Sequence, residues 1–313
     1  MVFRDSMKRW SALLLAFSLA AMAALPLPAA AAAGPKRFAS PEKAVAALAA
    51  AVKSHDAKQI LAIVGPGAEN LVSSGDAVAD KADQEKFLSL YDAGHVIDMA
   101  GKNRATLLIG PNRYPFPFPL VKKGKSWMFD QSACQEEILN RRIGRNELNA
   151  IQVARAYVDA QREYAAKDRD GDGISAFASR FRSSPGTKNG LYWESAPGEE
   201  ESPFGPLVAQ AANEGYGKTE QELLSPYHGY LFKILTAQGG GAEGGAFDYL
   251  VNGRMVLGFA LLAYPAQYGA SGIMTFMVNQ GGVVYEKDLG PQTAKVVEGI
   301  TAFSPDSSWK KLQ

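Results

Sequence analysis

A chain of 313 residues with a single cysteine, Cys134, can close no intrachain disulfide, so its fold must be held by packing alone. The constraint is sharper because the chain begins like an exported protein. Arg4, Lys8 and Arg9 form a positive start, Trp10 to Leu25 is an uncharged run rich in Ala and Leu, and Pro26 to Ala33 supplies the small residues at which a signal peptidase cuts. Residues 1–33 are therefore expected to be removed, placing the mature protein in the periplasm or outside the cell, where disulfides are usual. A retained anchor is the alternative, but the run is short against the roughly 20 residues that a spanning helix needs. Ala133 before Cys134 and an apolar-spaced helix after it favour a buried, inert thiol over a nucleophile or an intermolecular bridge.

The remaining length suits two compact domains, each with its own core. Cutting after Ala33 removes Arg4, Lys8 and Arg9 along with Asp5, which turns a formal charge of +1 into about −1. Such a protein has no electrostatic pull toward nucleic acid or anionic lipid. No later stretch is apolar for long enough to insert into a membrane once the leader is gone.

Ser40-Pro41 predicts a helix start, the Ser oxygen capping a free N–H and Pro sitting where its missing N–H costs nothing, with the helix reaching about Ser54. Asp56 predicts the cap of a second helix through Val64, ended by Gly65-Pro66, and a third spans about Asp80 to Asp92. The period then changes to two. Val96–Met99, Ala105–Ile109, Leu120-Val121 and Trp127–Phe129 read as strands, the last two joined by Lys122-Lys123-Gly124-Lys125. In Tyr114-Pro115-Phe116-Pro117-Phe118-Pro119-Leu120, alternate prolines strip the N–H donors from one side of an extended strand. An edge strand is predicted, with Phe116 and Phe118 facing a core; a polyproline ligand is the alternative.

From Gln135 to Lys167 the pattern is helical, interrupted near Gly144, with Leu148, Ile151, Ala154 and Val158 as one stripe and Val153, Tyr157 and Tyr164 beside it. Arg141, Arg142 and Arg145 read as a solvated or salt-bridged face, or as an anion site. Gly239–Gly245 reads as a flexible hairpin tip, and Asn252-Gly253 as a type I′ turn.

Three helices followed by strands that end in Lys123-Gly124-Lys125-Ser126-Trp127-Met128-Phe129-Asp130 resemble the cone-shaped α+β fold named after nuclear transport factor two, over Phe38 to Asp130. That resemblance implies a concave sheet used as a small-molecule pocket, in some members by enzymes and in many by inert modules. His95 and Asp98 are the only acid–base candidates there, and residues three apart on a strand face opposite ways. The passage Asn146–Ile151, Tyr157–Gln161 and Tyr164 into an Asp/Gly turn is similar to type IV pilins and pseudopilins. His228–Phe232, Phe259–Pro265, Gly272–Val278 and Gly282–Tyr285 resemble the strands of their head. Taken end to end, with Asn140–Leu148, Gly190–Trp193 and Gly272–Asn279 as the prompting stretches, the chain resembles a family of exported bacterial proteins catalogued as a domain of unknown function, number twenty-nine fifty.

Asp168-Arg169-Asp170-Gly171-Asp172-Gly173 begins as a calcium loop does, with carboxylates at alternate positions closed by Gly. The twelfth position is Ser179 where a bidentate acid belongs, so a solvated turn competes with calcium held by Asp168, Asp170 and Asp172. Tyr192, Trp193, Tyr227 and His228 lie beside Gly and the acidic run Glu199–Glu201, a pattern suited to stacking on sugar or peptide, or to filling a sheet core. There is no nucleophile elbow, no zinc spacing and no phosphate loop, and Ser183-Ser184-Pro185-Gly186 reads as a turn.

The expectation is an α+β protein of two domains. Residues 34–134 would form helices on a curved, cone-like sheet, and residues 135–313 a long helix packed on a pilin-head-like antiparallel sheet. Its expected role is non-catalytic binding or assembly in the cell envelope, with an envelope protein or glycan as partner and no catalytic residue or cofactor assigned. The alternatives are an envelope-polymer hydrolase using His228 with an acid from Glu199–Glu201, and a calcium-stabilised structural module.

Overall fold

The computed structural model describes residues 34–130, 132, 135–169, 171, 173–217 and 225–312. The leader, Cys134, Asp170 and Asp172 lie outside them. The fold is α+β: helices and antiparallel sheets, with two separate hydrophobic cores.

The first half starts with α1 (Pro41–Lys53), where Ser40 accepts from the Lys43 N–H, and α2 (Ala57–Val64), where Asp56 accepts from the Gln59 N–H. Both caps are those expected. A four-residue helix, α3 (Glu69–Val72), follows without a side-chain cap. The next helix, α4 (Ala77–Ala93), begins earlier than the expected start near Asp80 because Asp76 caps it.

Strands β1 (His95–Ala100), β2 (Arg104–Ile109), β3 (Tyr114–Pro115), β4 (Leu120–Lys123) and β5 (Ser126–Phe129) form one antiparallel sheet. Its order is β1-β2-β4-β5, with β3 also on β2. The proline segment is thus only partly an edge. Phe116 donates its N–H to the Leu107 carbonyl (2.7 Å), so the donors that survive do face β2. The chain then breaks at residues 116–119 and re-enters as β4, an inner strand between β2 and β5. Phe116 and Phe118 pack on the core as expected.

Helix α5 (Gln135–Ala165) runs unbroken through Gly144. A Gly costs a helix interior about 1 kcal/mol, less than the roughly 1.5–3 kcal/mol that burying the neighbouring Ile143 supplies. Its buried face carries Val153, Ala154, Tyr157, Val158 and Tyr164 as expected, together with Asn146, Ala150 and Gln161, while Leu148 at the start of the predicted stripe is 63% exposed.

The second half adds α6 (Gly205–Asn213), β6 (Tyr230–Leu235), β7 (Ala237–Gln238), β8 (Phe247–Asp248), β9 (Leu250–Val251) and β10 (Arg254–Met255). It closes with β11 (Ala260–Pro265), β12 (Met274–Asn279), β13 (Tyr285–Asp288), α7 (Thr293–Glu298) and β14 (Lys310–Lys311). The main sheet is antiparallel in the order β14-β13-β12-β11-β6, and α5 lies against β12, β11 and β6. Asn252 (φ 51°) and Gly253 (φ 81°) turn β9 into β10 with the positive angles of the predicted turn. The glycine-rich tip between β7 and β8 is tied down rather than loose. Gly239 N–H donates to the Phe303 carbonyl, Gly241 N–H to Ser304 Oγ, and Gln238 Nε2 to the Glu243 and Gly245 carbonyls.

Candidate binding site

In the first half the helices and the proline segment leave an opening between them, while the sheet beneath is covered. Leu48 and Val52 of α1, Ile60 and Val64 of α2, and Leu71 and Val72 of α3 floor a cavity of about 640 Å³, mouth included. Phe116 and Phe118 form a further wall. Helix α4 adds Asp80, Asp83, Gln84 and Phe87, which fall on one helical face at spacings of three and four. With the open mouth left out, the enclosed space is about 150 Å³, below the roughly 300–1,000 Å³ of drug-sized sites and enough for a short chain.

The rim is charged, and most of its groups are held. Asp80 accepts the Ser74 N–H on both oxygens (3.1 and 3.0 Å), and Gln84 Oε1 accepts from His55 Nδ1 (2.8 Å). Arg142 of α5 reaches across to α3 and donates to the Asn70 (2.6 Å) and Leu71 (3.0 Å) carbonyls. Burial pushes its pKa down, while the carboxylates of Asp80 and Asp83 oppose that shift. Arg142 is therefore not the solvated charge expected of the Arg141–Arg145 run, although Arg141 is, being paired to Glu137 at the surface.

A second polar constellation joins the halves. Asp76 is 2% exposed and accepts four bonds: Val78 and Ala79 N–H on Oδ1, and Tyr216 Oη (2.8 Å) and Gly229 N–H (2.8 Å) on Oδ2. Tyr216 Oη also accepts the His228 N–H (3.2 Å). His228 has φ 48°, a left-handed angle that costs a non-glycine residue, and its Nε2 lies 2.9 Å from Glu214 Oε2. The Tyr227 ring packs 4.2 Å from the imidazole. Burial, then the charge of Asp76, pushes the Tyr216 hydroxyl up. Burial and Glu214 push Tyr227 up to about 12. Both phenols stay protonated donors at neutral pH. The structure thus brings Tyr227 and His228 together, and gives His228 an acid that sequence reasoning missed, Glu214 in place of Glu199–Glu201.

Tyr192 and Trp193 sit elsewhere, buried in the second core. Arg182 lies over the Tyr192 ring (5.2 Å), and Arg169 and Lys188 each lie over Trp193 (5.3 Å). Trp193 Nε1 donates to the Glu200 carbonyl. Glu200 is bound by Lys167 (2.8 Å), Lys188 (3.0 Å) and Arg169 (2.7 Å), which hold its carboxyl down to about 2. Glu199 accepts the Ala196 N–H. Asp168 places one oxygen on the Gly171 N–H (2.9 Å) and the other on the Gly173 N–H (2.7 Å), closing its own turn. Among the described residues no group of three or more His, Cys, Asp or Glu could hold a metal, and no helix is long and apolar enough to cross a membrane. In β1, the His95 ring stacks on Tyr91 at 3.9 Å.

The family described as "Protein of unknown function (DUF2950)" matches residues 35–312. The chain belongs to that family. Comparison with curated proteins and with solved structures finds no match.

For this DUF2950 chain the matched span takes in both halves, and so both the cavity and the Asp76 junction. The junction has no local signature, since Asp76 and Gly229 are 153 residues apart. The rim does have one: Asp80, Asp83, Gln84 and Phe87 put carboxylates and an aromatic ring on the same face of a helix.

Proposed function

We propose that the chain is an exported, non-catalytic binding protein of the cell envelope, and that its ligand site is the cavity of the first half. One observation carries this reading: a floor of core side chains opens to a mouth bearing Asp80, Asp83, Gln84 and Arg142. An apolar chamber with a few polar groups at its entrance suits a small amphipathic molecule. Export is supported by the leader-like residues 1–33.

The test is occlusion. Val72 is half-buried in the floor, and Val72→Trp would fill the space. Native mass spectrometry of protein purified from its own envelope, together with a thermal-shift screen of small amphiphiles, should show a ligand on the parent protein and none on Val72→Trp. Equal ligand binding by both would dismiss the cavity as the site.

A second reading, hydrolysis of an envelope polymer, is favoured by the His228–Glu214 contact on a strained backbone. If the parent protein cleaves peptidoglycan or ester substrates and His228→Ala abolishes that activity, the protein is an enzyme. Inertness of the parent protein on such panels removes this reading.

A further inference from the structure

We infer that the cavity takes a cationic amphiphile, an alkylammonium compound whose chain enters the floor while its ammonium group rests at the rim; this rests on the proposal that the cavity is the ligand site. The charge balance of the rim decides the sign. Asp80 and Asp83 contribute two negative charges against one positive charge from Arg142, which is already committed to the Asn70 and Leu71 carbonyls. Asp83 is exposed and forms no ion pair or hydrogen bond among the described residues, so it is the carboxylate open to a ligand.

The aromatic wall points the same way. Phe87, Phe116 and Phe118 form a continuous group, with ring centroids 5.1 Å apart for the first pair and 5.4 Å for the second. All three line the cavity and are only partly buried. Phenyl faces attract cations, and quaternary ammonium groups in particular, because the ring quadrupole is negative at its face. An anionic head would meet two carboxylates, and a neutral head would leave Asp83 unused. The apolar floor satisfies the chain of all three, so the head group alone discriminates between them.

Calorimetric titration of the purified protein with octyltrimethylammonium, octyl sulfate and octyl glucoside, each below its micelle concentration, tests this. The cation should bind about tenfold more tightly than the anion, and Val72→Trp should abolish binding. Asp83→Asn should weaken the cation about threefold and leave the glucoside unchanged. Phe116→Leu should weaken the cation about threefold more than the glucoside. If the glucoside or the sulfate binds as well as the cation and Val72→Trp still blocks it, the cavity is a ligand site and the charge inference is wrong. If no probe distinguishes the parent protein from Val72→Trp, both fall.

Discussion

Helix α4 covers its sheet with Phe87, Leu88, Leu90 and Tyr91 only partly buried, whereas α5 buries ten described residues, among them Tyr157, Gln161 and Tyr164. Two packing strategies follow within one chain. The second half fills its interior with interlocked rings, Tyr157 meeting Phe181, Phe204 and Phe259 edge-on. It then satisfies the polar atoms this traps: Gln161 donates to Tyr157 Oη and the Ala178 carbonyl and accepts the Ala178 N–H. The first half keeps open space beside its core and lines that opening with charge. The second half has its own opening, a polar surface cleft bordered by Arg169, Lys188, Trp193 and Glu199, and the shared helix α5 with the Asp76 junction connects the two halves.

The largest effect is expected at that connection. Asp76→Ala removes the cap of α4 and leaves Tyr216 Oη and the Gly229 N–H without their acceptor. A lost cap costs about 1 kcal/mol and each of the two stranded donors at least about 1 kcal/mol, so a loss of about 3 kcal/mol or more is expected in urea unfolding. If the loss is under about 1 kcal/mol, the halves are joined mainly by something else.

Next comes the same operation carried out on each half, adding volume. At Gly272 a new Cβ would stand 2.3 Å from Tyr230 Oη, whose ring is fully buried and whose hydroxyl is bonded to the Met274 carbonyl. Gly272→Ala should cost about 3 kcal/mol. Val72→Trp places far more volume in the first half and should change stability by about 1 kcal/mol or less, since the cavity receives it. Similar losses at the two positions would mean that the first half is as tightly packed as the second.

How much of this could be read beforehand follows the range of the forces. The caps at Ser40 and Asp56 and the turn at Asn252-Gly253 were legible because each acts within a few residues. Helix α3 was not, being too short to show a period and lacking a side-chain cap. Proline alternation fixed which side of the strand keeps its donors, yet could not tell that the chain would break and continue inward as β4. The aromatic residues Tyr192 and Trp193 were visible, but the cations that cover them come from Arg169, Arg182 and Lys188, and that encounter is tertiary. The acid beside His228 was missed for the same reason: Glu214 reaches it from the end of a different element.

The smallest effect tests whether the second half has electrostatic as well as steric support. Lys167, Lys188 and Arg169 hold Glu200 down to about 2, against an ordinary value of 4.5. A carboxylate whose pKa is depressed in the folded state stabilises it fully above the unfolded value, and that contribution is lost as pH falls through the folded one. The window is therefore from about pH 4.5 down to about pH 2. Glu200 is 33% exposed, so screening reduces the contribution to about 1 kcal/mol even though the Arg169 side chain is 3% exposed. Relative to Glu200→Gln, the parent protein should lose about 1 kcal/mol more stability across that window, read from urea midpoints at stepped pH. Arg169 would still be held by the Tyr164 and Glu163 carbonyls in the variant, so the fold should persist. Parallel pH curves for the two proteins would show that Trp193 and its cations are held by packing alone.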